Sequence, residues 1–170
     1  MQYGIVVFPT KDVQDAANSY RKRYDPHYQL IQPHLTVREK EEWSETRLAE
    51  AVEQLEQVTQ QLAPFDLRFE RFSSFYPANP VIYMALADPQ PMLVLHKAVC
   101  GELLSQSGKP YHYTPHLTIG QHMGADELHD VWASLKRLEL GLTTRIDRLH
   151  LVHETDNSAW TVHQTFVLRG

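Results

Sequence analysis

Pro33-His34-Leu35-Thr36-Val37 returns 82 residues later as Pro115-His116-Leu117-Thr118-Ile119. Proline is tolerated at the first position of a strand, where its missing N–H costs little. Residues two apart in a strand share a face. His34 and Thr36 therefore look one way while Leu35 and Val37 look the other, and His116 and Thr118 stand in the same relation to Leu117 and Ile119. The segments after the two copies are also alike: a loop, an amphipathic helix, then a strand with the order apolar, acid, Arg, apolar. Those strands hold Phe69-Glu70-Arg71-Phe72 and Ile146-Asp147-Arg148-Leu149, 77 residues apart, and the shortfall is absorbed by loops and unequal helices. Two related halves are the natural explanation. The apolar faces enter a core, the two His/Thr faces line a groove, and a pseudo-two-fold axis sets them opposite each other.

Working outward, the chain alternates strand and helix patterns. Residues 3–8 are an apolar run closed by Pro9, a buried first strand and not a signal peptide. Helix spacing over 12–24 has Asp12 as N-cap and Arg21-Lys22-Arg23 in its last turn. His34 to Arg38 is extended. A long helix is expected from Ser44 to Ala63, stopped by Pro64. Residues 65–72 alternate as a half-buried strand, Ser73 to Pro80 is a loop, and Val81 to Ala87 is a strand. The next helix is expected from Met92 to Ser105, with Leu95, Val99 and Leu103 inward and Gly108 and Pro110 marking its end. Residues 113–119 are extended, Ala125 to Leu138 is helical, and two strands close the chain near 143–153 and 160–168 around a turn at Asp156-Asn157. Strands so close in sequence pair antiparallel. The expectation is an α+β fold, one bilobal unit over residues 1–170, with mainly antiparallel sheets lining a central cleft and helices outside.

Composition narrows the function. Over 170 residues, 16 Lys and Arg stand against 21 Asp and Glu, a net charge of −5. Mild acidity argues against gripping long duplex nucleic acid by charge alone, but leaves open a small anionic substrate held by a few local groups. One cysteine, Cys100, excludes an internal disulfide and makes the cytoplasm the default compartment. No apolar run approaches the roughly 20 residues of a membrane helix. No Gly-x-Gly-x-x-Gly or Walker-type loop is present, and no protein partner is implied.

Two imidazoles and two hydroxyls around one spot suit phosphodiester chemistry. In-line displacement needs a base on one side and an acid on the other, which two histidines can supply near neutral pH. Threonine hydroxyls can hold the non-bridging oxygens. The arrangement requires neither a metal nor a cofactor.

The paired His-x-Thr-hydrophobic strands resemble the signature of the two-histidine (2H) phosphoesterases, which include bacterial 2′-5′ RNA ligase-like enzymes and cyclic phosphodiesterases. The stretches Tyr3-Gly4-Ile5-Val6, Ala17 through Pro26, Ser73-Ser74-Phe75 and Trp160-Thr161-Val162 are similar to the YjcG-like, LigT-fold subgroup of Firmicutes. The resemblance covers nearly the whole chain. It implies a bilobal fold with one motif from each lobe, His34 as proton donor, His116 as proton acceptor, and Thr36 and Thr118 as phosphate binders. The implied substrate is a cyclic or 2′-5′ phosphodiester of an RNA end or small nucleotide. A non-catalytic RNA- or nucleotide-binding module on the same scaffold is the alternative.

Other residues carry weaker signals. Arg38 comes two after Thr36 and is a candidate substrate contact if the strand continues regularly; Arg21, Lys22 and Arg23 can steer a phosphate or simply be solvated. Tyr113, with Tyr111, is placed to stack a base, although core packing competes, and the same holds for Phe75 and Tyr76. His112, His116 and His122 lack an acidic partner for a metal, and His150 and His153 face opposite sides of a strand. Cys100 has no basic neighbour or helix start to activate it.

Overall fold

A computed structural model describes residues 1–104 and 112–170. The elements run β1 (Gln2–Val7), α1 (Lys11–Tyr24), β2 (Leu35–Glu42), α2 (Glu45–Thr59), β3 (Phe65–Ser74), β4 (Ile82–Leu86), α3 (Gln90–Val99), a short 3-10 turn (Glu102–Leu104), β5 (Leu117–Gly120), α4 (Ala125–Leu135), β6 (Glu139–Ile146), β7 (Arg148–Glu154) and β8 (Trp160–Val167). They build two four-stranded sheets in the orders β2-β1-β7-β8 and β5-β4-β3-β6, with antiparallel pairing throughout. The α+β, mainly antiparallel expectation is the observed architecture.

The internal repeat is visible in the topology. One half runs β1-α1-β2-α2-β3 and the other β4-α3-β5-α4-β6-β7. In each, the motif strand lies at a sheet edge beside its half's first strand, and the strand carrying the Arg crosses to the other half's sheet: β3 pairs β4, and β7 pairs β1. The helices cross over in the same way. Helix α1 packs on β5 and α3 packs on β2, so each motif strand is buttressed by the opposite half.

Burial follows the apolar pattern. Leu35, Leu117 and Ile119 are fully buried and Val37 nearly so, joining Ile5, Leu55, Phe69, Met84, Leu95 and Leu149 in one continuous core. Burying side chains of this size contributes roughly 1.5–3 kcal/mol each, which is ample to fix the strand faces.

Several boundaries differ from the sequence expectation, each for a local reason. Thr10, not Asp12, is the N-cap of α1; Asp12 sits in the first turn and accepts from the Thr10 hydroxyl at 2.5 Å. Helix α2 starts after Ser44, whose Oγ accepts from Arg47 N at 3.1 Å, but ends at Thr59. There the C-terminal tail takes over: Arg169 N donates to Thr59 O, a carbonyl that the helix end leaves unpaired, and Gly170 N donates to Leu62 O just beyond it, each at 2.9 Å. Helix α3 ends at Val99, and in the next turn Leu104 is buried while Leu103 is exposed, the reverse of the expected phase. Ser105, Gly108, Pro110 and Tyr111 lie outside the described residues. The expected 113–119 strand is shortened to β5, and Leu138 is exposed beyond the end of α4. The expected 143–153 strand is two strands in different sheets, divided at Asp147. The break is written in the burial phase, which shifts from Thr144 and Ile146 to Leu149 and Leu151. Among the described residues, no helix is long and apolar enough to cross a membrane.

Candidate active site

Both motifs share an irregularity of pairing. Between β1 and β2 the register slips at Val37, and between β4 and β5 it slips at Ile119. β2 carries a second slip between Arg38 and Glu41, but in each motif one falls on the residue after the threonine. A bulge there sharpens the local twist and re-aims the preceding side chains. In both motifs the His and Thr are partly exposed while the flanking apolar residues are buried.

The two imidazoles are anchored identically. His34 Nδ1 lies 2.8 Å from Gln32 O, and His116 Nδ1 lies 2.8 Å from Thr114 O, in each case the carbonyl two residues earlier. A carbonyl only accepts, so Nδ1 carries the proton and Nε2 is the lone-pair nitrogen of the neutral ring. Among the described residues no protein group hydrogen-bonds either Nε2 or either threonine hydroxyl. His34, Thr36, His116 and Thr118 all line one cavity of about 620 Å³, within the size range of small-molecule sites. The structure therefore brings together all four residues singled out by the repeat.

The surroundings of the rings differ. His116 meets Phe75 edge-on with centroids 4.9 Å apart and Tyr83 at 5.3 Å, while Phe75 stacks on Tyr83 at 4.4 Å. His34 stands near the buried ion pair of Arg21 and Asp25, whose Nε and Oδ2 are 3.4 Å apart. Burial pushes the His34 imidazole down to about 4; the Gln32 carbonyl works against this, and the positive charges of Arg21 and a protonated His116 work with it. Burial also lowers His116, opposed by the Thr114 carbonyl and Glu39. Burial thus favours the neutral form of both rings in the free protein.

The weaker candidates are placed otherwise. Arg38 borders the cavity, but the residue is 2% exposed and its guanidinium is occupied. Nε donates to Leu104 O at 3.1 Å, Nη2 donates to Glu41 Oε2 at 2.7 Å, and the group lies over the Trp43 ring. Tyr113 is buried behind β2 rather than on the cavity wall: its ring stacks on His96 at 3.9 Å and its hydroxyl donates to Thr36 O at 2.7 Å. Tyr113 thus holds the first motif strand through a carbonyl of that edge strand, and Arg38, itself on β2, ties the strand to the turn after α3 through Leu104 O. Lys22 and Arg23 are exposed and away from the cavity, whereas Phe75 is on its wall. Cys100 is partly buried with its thiol pushed up to about 11 by burial, which suits a filler and not a nucleophile. His150 and His153 do face opposite sides of β7, paired with Val6 and Tyr3 respectively. Among the described residues no cluster of three His, Cys, Asp or Glu side chains is arranged to hold a metal.

A polar network on the cavity wall had no sequence signal beyond the i, i+4 spacing of Arg21 and Asp25. Asp25 Oδ1 accepts from His27 N at 2.9 Å and from Gln121 Nε2 at 2.8 Å, and Gln121 N donates to Tyr24 O at 3.0 Å. Arg21 is saturated by Asn18 Oδ1 and Ile31 O. Gly120 permits this junction of α1 and β5: a Cβ there would sit 2.9 Å from Met123 Cε and 3.1 Å from Tyr24 Cβ.

Two antiparallel sheets that each deliver a His-x-Thr strand to one cavity define a two-histidine phosphoesterase fold. The chain belongs to the 2′-5′ RNA ligase superfamily, whose family model matches residues 9–158. A Bacillus licheniformis protein provisionally named a phosphoesterase is 44% identical over 168 residues, covering 99% of both chains. A Bacillus pumilus protein of the same provisional name is 42% identical over 169 residues, covering 99% of this chain and 98% of the relative. Among solved structures, Escherichia coli LigT complexed with 3′-AMP has a TM-score of 0.77 at 10% identity, covering 99% and 98% of the two chains. A Thermus thermophilus protein has a TM-score of 0.73 at 21% identity, covering 100% and 99%. The chain is a phosphoesterase by family, and the low-identity structures speak for the fold alone.

Proposed function

We propose that this chain hydrolyses a cyclic or 2′-5′ phosphodiester of an RNA end or small nucleotide by metal-independent two-histidine catalysis. The observation that carries the reading is the matched anchoring of His34 and His116, each with its Nδ1 on the carbonyl two residues back at 2.8 Å and its Nε2 left for a ligand. Water attacks phosphorus in line while His116 Nε2 takes its proton. The bond to the leaving ribose oxygen breaks as protonated His34 Nε2 delivers a proton to that oxygen. Thr36 and Thr118 donate hydrogen bonds to the non-bridging oxygens, whose charge grows as the water oxygen adds. An anionic phosphate between the rings favours the imidazolium that burial disfavours. Arg38 and Tyr113 act on this site by holding β2. A nucleotide ligand agrees with the LigT structures described with 3′-AMP, ATP and NADP+.

The deciding experiment is incubation with 2′,3′-cyclic nucleotides and 2′-5′-linked dinucleotides, with and without EDTA. Turnover that survives chelation is expected. Binding without turnover would make the chain a nucleotide-binding module, and loss of turnover on chelation would replace the acid–base mechanism with a metal-dependent one.

A further inference from the structure

A second cavity, of about 550 Å³, opens beside the first and shares Arg21, Ile31, Val152 and Trp160 with it. Its remaining wall includes Phe8 and Tyr28, the carboxamides Asn18, Gln29 and Gln32, and Val162 of β8. Among the described residues no carboxylate lines it, and its one cation, Arg21, is 2% exposed and neutralised by Asp25. Asn18 spends its carbonyl oxygen on Arg21 and keeps its amide N–H groups. A second phosphate would find no free positive charge on these walls. An uncharged planar ring with hydrogen-bonding edges would find aromatic faces and carboxamides, the chemistry that holds a nucleobase. Position adds to composition: the wall includes Gln32, whose carbonyl anchors His34 Nδ1, so this cavity lies on the His34 side of the phosphate position. The segment before His34 is also pinned to β8, because Trp160 N donates to Leu30 O at 2.8 Å.

We infer that this second cavity is a subsite for the nucleoside on the His34 side of the scissile phosphate. This rests on the two-histidine reading and goes beyond it. With His34 as the proton donor, the nucleoside held here is the leaving one. The favoured substrate is then a diester with a base on each side of phosphorus, in preference to a mononucleoside cyclic phosphate.

The test compares binding of 2′-5′-linked diadenosine monophosphate and adenosine 2′-monophosphate by titration calorimetry, on the H116A protein so that nothing is cleaved. The dinucleoside should bind about tenfold tighter or better, from stacking of one further base. That ratio should fall to within about threefold in Val162→Trp, which fills the groove, and in Tyr28→Ala, which removes an aromatic wall. A ratio near one in the parent, or a ratio kept in both variants, overturns the subsite. Failure of the unmutated protein to turn over any phosphodiester overturns the catalytic reading instead, and the calorimetric ratio still decides whether a second base is bound.

Discussion

The Tyr113 hydroxyl donates to the Thr36 carbonyl oxygen at 2.7 Å, so a residue three before His116 holds the strand that carries His34. His96 makes the companion contact, its Nδ1 lying 2.8 Å from Val37 O while its ring stacks on Tyr113. Tyr113→Phe keeps the stack and leaves that carbonyl without its donor. The loss should cost about 1–2 kcal/mol in urea unfolding. Because β2 is loosened without removing a group from the cavity, kcat on a cyclic nucleotide should fall by less than about tenfold. A variant as stable as the parent would show that the bond does not anchor the motif.

His34→Ala and His116→Ala should each lower kcat by about a hundredfold or more, the range expected when a general acid or base is lost. Calorimetric affinity for adenosine 2′-monophosphate should change far less, because the threonines and the cavity walls remain. The proposed mechanism has the two rings serve one displacement, so the double variant should be little worse than the poorer single one. Two independent losses that multiply would argue that the imidazoles act on separate steps.

Much of this was legible in the sequence because strand parity and repetition are local facts. The alternation His34-Leu35-Thr36-Val37 fixes which side chains enter the core, and its copy at 116–119 implies a matching strand in another half. Parity failed where an extra residue enters a strand or the chain changes sheets. At Asp147 the buried positions pass from even to odd numbers, and a pattern read straight through fuses β6 with β7. From the sequence alone, Arg38 and Tyr113 are candidates for contacting phosphate and base. Their actual partners, Leu104 O and Thr36 O, are 66 and 77 residues away, and spacing within one element does not carry such contacts. The Asp25–Gln121 bond spans 96 residues and was invisible for the same reason.

On the proposed mechanism, the depressed imidazoles set the pH profile. The ordinary histidine value is 6.5; burial brings His34 to about 4 and moves His116 downward as well. The base must be unprotonated, a fraction that grows as pH rises through its pKa. The acid must be protonated, a fraction that shrinks as pH rises through its own. The optimum of kcat/KM, which reports the free enzyme, lies between the two values, and both are below the ordinary one. A bell centred on the acid side of 6.5 is therefore expected, its limbs belonging to the pair and not to either ring. An optimum above about pH 7.5 would mean that other groups set the profile.

Asp25 is the joint between the halves at the cavity wall, and its removal should be felt as stability before it is felt as chemistry. Its carboxylate faces Arg21 Nε and accepts from His27 N and Gln121 Nε2, with 3% of the side chain exposed. Asp25→Ala leaves the Arg21 guanidinium buried and uncompensated, and burial already disfavours its charge. A cost of about 3–5 kcal/mol in urea unfolding is expected. Arg21→Met in the same chain should recover much of it, since a buried apolar pair avoids the desolvation of both charges. A double-mutant cycle measures the coupling directly. A single-variant cost below about 1 kcal/mol would place the pair among weak, solvent-screened ion pairs and remove it as the element that joins α1 to β5.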